Sequence, residues 1–193
     1  MKKDMDEIGE QIQELKKALL EAGLSYDIWW ELSNREARTE HLDDLNQYTI
    51  FFQSTIHAHF LTAVITLYRL FENRRDTINL PNLFQQVREK KLVAPEVENK
   101  LESAAEEIRE NWTKICILRS NVFGHRSRKL SIEESYKRAG ITPDQIKNLI
   151  KHMQDAMNIV SGEVLELEHS FELNPAEEVK RLLDDIATLR KSR

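Results

Sequence analysis

Apolar residues along this chain recur almost everywhere at i, i+3, i+4 and i+7, the period of an amphipathic helix. Residues 4–22 place Ile8, Ile12, Leu15, Leu19 and Leu20 on one face, and Gly23 is expected to end that helix. A short second helix is predicted from Ser25, carrying Tyr26, Trp29 and Trp30. The longest and most apolar segment, about 41–72, runs through Leu45, Phe51, Phe52, Ile56, Phe60, Val64, Leu67, Tyr68 and Phe71. Its apolar residues wrap most of the circumference, which predicts a central helix packed on several sides, with the face from Phe51 and Phe52 to Phe60 in the core.

Start and stop signals divide the rest. Asn79 before Pro81 marks a short helix through Leu83, Phe84 and Val87, and Pro95 opens another running to about Val122. Ser131, with Glu134 at the reciprocal capping position, precedes a helix over Ile132 to Ala139 that Gly140 ends. Thr142 caps a helix with Pro143 at its first position, predicted to reach about His169, and Asn174 with Pro175 repeats that signal for a last helix. The expected architecture is all-α, a single-domain antiparallel helical bundle: an N-terminal amphipathic helix over 1–24, the bundle over 25–170, and a C-terminal amphipathic helix over 171–193 packed on it.

Composition agrees with that pattern. Five glycines and four prolines in 193 residues leave little material for hairpins, so an all-β fold is excluded. A single cysteine, Cys116, rules out an internal disulfide and a multi-thiolate metal site. No apolar run approaches the roughly 20 residues of a membrane span, and the N-terminus lacks the apolar run of a signal peptide. The chain reads as cytoplasmic, with no membrane partner.

Charge changes the picture only when it is resolved along the chain. The total of 28 Lys and Arg against 33 Asp and Glu, net −5, argues against a nucleic-acid binder. Yet Glu96 to Glu110 holds six acids against two bases, whereas Asn111 to Ile132 holds no acid and five bases: Lys114, Arg119, Arg126, Arg128 and Lys129. That basic island coincides with a break in the pattern. The stripe Leu101, Ala105, Ile108, Trp112, Ile115 and Cys116 leads on to Arg119, a residue type that is buried only when snorkelling, paired or placed for chemistry. His125 follows six residues later, about 120° away on a straight α-helix, so the two can converge only if the helix loosens or ends between them. Gly124 is where it can do so at little cost.

The segment Leu118-Arg119-Ser120-Asn121-Val122-Phe123-Gly124-His125-Arg126 resembles the Arg-to-His element of the HEPN superfamily, most closely the branch named for the phage abortive-infection protein AbiU. The stretch from Leu61 to Asn73 and the following Asp76-Thr77-Ile78-Asn79-Leu80 are similar to that branch's long helix and turn, so the resemblance covers about residues 25–165. It implies a metal-independent endoribonuclease of a phage-defence or toxin–antitoxin system, acting in a cleft between two protomers of a homodimer. Carried over, His125 is the general acid/base acting on a ribose 2′-OH and Arg119 holds the scissile phosphate. Ser120 stands where many members carry Asn, Asp or His, and Asn121 follows; both are auxiliary candidates. Lys114, Arg126, Arg128 and Lys129 are candidates for RNA contact. The implied partners are RNA and a cognate antitoxin or nucleotidyltransferase, with no cofactor and no metal.

Plainer roles compete for the same residues. Arg119 can close the core against a carboxylate, and His125 can serve as a helix C-terminal cation. His57 and His59, two apart on a helix, make a poor metal pair, and His41, His152 and His169 stand alone in the sequence. Trp29 and Trp30 suit a core or an interface, Cys116 a small buried hydrophobe, and Arg74 with Arg75 a C-terminal cation cluster. The alternative function is a non-catalytic HEPN-like module binding RNA, a nucleotide or a protein. Plainer still is an interaction protein that docks through its terminal amphipathic helices.

Overall fold

A computed structural model describes residues 2–124 and 132–192, with side chains from 5 to 122 and from 134 to 192. Among them every regular element is helical. In order these are α1 (Lys2–Ser33), α2 (Arg35–Glu40), α3 (Leu42–Gln47), α4 (Thr49–Leu70), α5 (Leu80–Glu89), α6 (Pro95–Leu118), a π-helical turn (Arg119–Gly124), α7 (Ile132–Ala139), α8 (Pro143–Leu165) and α9 (Pro175–Lys191).

The spine is α1, and it corrects one expectation: the helix runs straight through Gly23 and absorbs the segment from Ser25. A mid-helix glycine costs about 1 kcal/mol. Burial on both sides outweighs that cost, because Ile8, Ile12, Leu15, Leu19, Ala22 and Tyr26 continue one buried stripe at spacings of three and four. Against this stripe pack Ala63, Val64, Leu67 and Leu70 of α4, Leu80, Leu83 and Val87 of α5, and Ile146, Leu149, Met153, Met157 and Val160 of α8. Tyr26 ties α1 to α8 as well, donating its phenol to the Pro143 carbonyl at 3.2 Å. Burial, with Asp144 and Asp27 nearby, pushes that phenol up to about 12.

The segment 41–72 is two helices rather than one. Tyr48 leaves the helical region (φ −119°, ψ 41°) between α3 and α4, and the Thr49 hydroxyl donates to the Asn46 carbonyl across the break at 2.6 Å. The burial expected of α4 holds only toward its C-terminal half. Phe52 is buried, but Ile50 is 84% exposed and Phe51 61% exposed. In the first turns of α4, Phe52 buries in a small second core with Leu32 and Leu183, against which Ile28, Leu45, Ile56, Val179 and Ile186 pack. Among the described helices α4 alone is long and apolar enough to cross a membrane, an exception to the expectation of no such segment.

Cap chemistry places several other boundaries. Asn79 accepts from the Asn82 amide and Thr142 forms a reciprocal box with Gln145, so α5 and α8 start as predicted. Gly140 closes α7 at φ +57°. The Ser131 cap lies outside the described residues. Instead of reaching His169, α8 ends at Leu165, where Glu166 turns left-handed (φ 54°). Beyond it, Asn158 grips the His169 backbone at both its N–H and its carbonyl. Burial, with Lys16 adding a smaller effect, lowers the His169 imidazole below its usual range.

Candidate functional site

The C-terminal half of α6 is held by Ile108, Ile115 and Leu118, each fully buried and each contributing about 1.5–3 kcal/mol. Leu118, not Arg119, therefore carries the buried line forward. Arg119 lies one residue round the helix, at the margin of the stripe and half-buried. At that residue the α-register gives way to the π-helical turn that ends at Gly124. The loosening expected between Arg119 and His125 is thus present, and π segments are rare enough that such a turn commonly marks a functional position. The Asn121 side-chain amide donates to the Ile117 carbonyl at 2.9 Å, occupying a backbone acceptor at the change of register.

Arg119 is not closed against a carboxylate: among the described residues none stands within ion-pair distance. Its guanidinium instead lies over the ring of Tyr68 on α4, 4.7 Å from the centroid. Trp112 stacks on the same tyrosine with ring centroids 6.0 Å apart and planes 17° apart, and meets Phe71 edge-on. The Trp112 indole N–H donates to the Tyr68 backbone carbonyl at 3.1 Å. A guanidinium held by its face keeps its in-plane N–H donors for a ligand, and two of them match two phosphate oxygens.

Cys116, one turn before Arg119, is half-buried. Burial outweighs the pull of Arg119 and pushes the thiol up to about 11, so it is protonated near neutrality and suits the packing role expected of it.

The other expected site residues divide. Ser120 is exposed beside Arg119. Lys114 is five residues back, about 140° round the helix, and its ammonium reaches Asn111 at 3.4 Å; it is not brought to the Arg119 face. His125, Arg126, Arg128 and Lys129 lie outside the described residues. The elements flanking them, the π-helical turn and α7, contact each other and α6.

Elsewhere His152 pairs with Glu107 at 2.9 Å, and His41 stands near Asp44 and Asp184. Burial lowers His59 below its usual range. Trp29 packs on the core and on Phe60, with ring centroids 4.7 Å apart, and Trp30 is 38% exposed. Arg74 is clamped bidentately by Asp76 at 3.0 and 2.7 Å. Among the described residues no group of three His, Cys, Asp or Glu side chains is arranged to hold a metal ion.

The HEPN_AbiU2 family model, described as AbiU2, matches residues 5–186, nearly the whole chain. The chain belongs to the AbiU2 family of HEPN proteins. No curated protein and no solved structure matches it. Membership fixes the fold as all-α and HEPN-like and draws both terminal helices, α1 and most of α9, into the family's extent.

In this AbiU2 chain Arg119, the arginine that the resemblance singles out, is the one gripped by Tyr68. Sequence reasoning misses that partner, because along the chain Tyr68 is one more apolar position of a core helix. The one available signal is the seven-residue spacing of Trp112 and Arg119, two turns on one face of α6, which leaves room between them for a ring from another helix.

Proposed function

We propose that this protein is a metal-independent endoribonuclease of a phage-defence or toxin–antitoxin system. Membership of the AbiU2 family of HEPN domains supports an RNase-like or abortive-infection role. The observation that carries the finer reading is Arg119: a guanidinium at the loosened end of α6, seated on an aromatic face, with no carboxylate in ion-pair reach among the described residues.

In this reading His125 takes the proton of a ribose 2′-OH. The 2′-oxygen forms a bond to phosphorus, the bond to the 5′-oxygen breaks, and the leaving oxygen is protonated. Arg119 holds the phosphate and the charge that develops on it. Arg126, Arg128 and Lys129, with Lys114 as an outlying cation, supply the attraction for RNA.

The active species is a homodimer. Ile50 and Phe51 leave an exposed apolar patch at the first turns of α4. A second copy covering that patch would join two protomers through α4 and double the basic island in the dimer. A cognate antitoxin or nucleotidyltransferase partner fits the same reading, and a gene for one beside this gene would support it.

The test is cleavage of labelled single-stranded RNA by the purified protein in the presence of a chelator. Cleavage leaving 2′,3′-cyclic phosphate ends, lost in His125→Ala with the helical circular dichroism intact, is the expected result. Equal cleavage by His125→Ala, or none by the unaltered protein, would overturn it. Phe51→Asp is expected to shift the sedimenting species from dimer to monomer.

A second reading, a binding module without turnover, is favoured by Ser120 after Arg119 and by the engagement of Asn121 with the helix backbone. It predicts salt-sensitive RNA binding that Arg119→Ala weakens more than His125→Ala.

A further inference from the structure

We infer that Tyr68 is the positioning residue for Arg119: its ring seats the guanidinium by its face, so that the N–H edge stays directed to the phosphate. The assignment rests on the ribonuclease reading above and deepens it.

Three observations support it. Trp112 and Arg119 are seven residues apart, about 10.5 Å of helix rise, and the Tyr68 ring touches both, 6.0 Å from the indole and 4.7 Å from the guanidinium carbon. Tyr68 is itself fixed. Its carbonyl, in the last turn of α4, accepts the Phe71 N–H at a long 3.4 Å, and the Trp112 indole N–H adds a second, shorter bond at 3.1 Å. Finally, the tyrosine takes a place that a carboxylate could have taken. Glu72, one turn further along the chain, is engaged by the Thr77 hydroxyl at 3.2 Å. A carboxylate would also hold Arg119 still, but it would use the donors the phosphate needs; a ring uses only the face.

A purely structural role for Tyr68 makes a different prediction, because a packing residue acts on folding and not through Arg119. The test uses the full-length protein and steady-state cleavage of a labelled RNA. Tyr68→Phe keeps the ring and is expected to stay within about twofold of the unaltered protein. Tyr68→Leu is expected to lower kcat by about 10-fold or more while KM moves little, since a misplaced group is felt most in the transition state. In an Arg119→Ala background the same substitution is expected to have no further effect on kcat.

Should Tyr68→Leu fold poorly, phenylalanines carrying one, two and three fluorines in place of the tyrosine keep the shape and drain the ring face of electron density; kcat is then expected to fall stepwise along the series. A flat fluorine series, or an equal penalty for Tyr68→Leu with and without Arg119, would overturn this assignment and leave the ribonuclease reading standing. Failure of the unaltered protein to cleave RNA would instead overturn that reading and this assignment with it.

Discussion

Two arginines at either end of α4 are held in opposite ways. Near its N-terminal end, Arg190 from the last turn of α9 reaches back to α3, where Nη1 meets Asp43 at 2.8 Å and Nε lies 2.7 Å from Asp44. Asp44 is 1% exposed, and His41 stands 3.7 Å from it on the other side. The Nε contact is close without hydrogen-bond alignment, so the attraction there is mainly between charges. Near the C-terminal end of α4, Arg119 meets a ring and no carboxylate among the described residues. The first arrangement uses a guanidinium to compensate a buried acid and to fasten a terminal helix. The second fixes a guanidinium in place and leaves its donors available. Both arginines are positioned, yet only Arg119 is held without a carboxylate among the described residues.

The largest expected difference between the two ends is catalytic. Arg119→Ala is expected to reduce RNA cleavage at least about 100-fold, whereas Arg190→Ala leaves kcat of the folded fraction unchanged. Equal losses in a cleavage assay would erase the distinction.

Stability is expected to reverse the order. Arg190→Ala removes the guanidinium facing the buried Asp44 carboxylate and is expected to lower Tm by about 5–10 °C, while Arg119→Ala, at a half-buried margin, moves it by about 1–3 °C. Thermal melts of the two variants decide this. Restoring Tm by Asp44→Leu in the Arg190→Ala background would confirm that the stranded charge is the cause.

The smallest effect concerns Cys116. With its pKa near 11 against an ordinary 9.0, the thiol carries about 100-fold less thiolate at pH 8 than a free cysteine, and its alkylation rate should climb with pH well beyond 9. Arg119→Ala removes a nearby cation that pulls that value down and is expected to slow alkylation further, as mass spectrometry of the alkylated protein would record. Arg190→Ala leaves it unchanged.

Much of this is legible in the chain. The helices opened by Pro95, Thr142-Pro143 and Asn174-Pro175 begin where their signals stand, because the fixed φ of proline at the first position acts locally; of the two expected caps Thr142 bonds its helix and Asn174 makes no side-chain cap bond. Gly23 misleads, since a local breaker is outweighed by burial against α4, α5 and α8. Ile50 and Phe51 mislead for the opposite reason: their pattern is that of a core helix, but they stay exposed while the adjacent Phe52 fills the small second core. The segment from Arg119 to Gly124 is legible as the place where the helix loosens, from one glycine and one angle.

By itself the sequence determined an all-α chain, the helix starts from α5 onward, the basic island hidden in an acidic total, and the arginine beside the end of an apolar stripe. These depend on residues within a few turns of one another. Only the tertiary structure decided what each arginine meets. Arg119 finds a ring 51 positions back, and Arg190 finds acids 147 positions back. No periodicity carries that information, because the pairing is fixed by how α4 packs against α6 and α9 against α3.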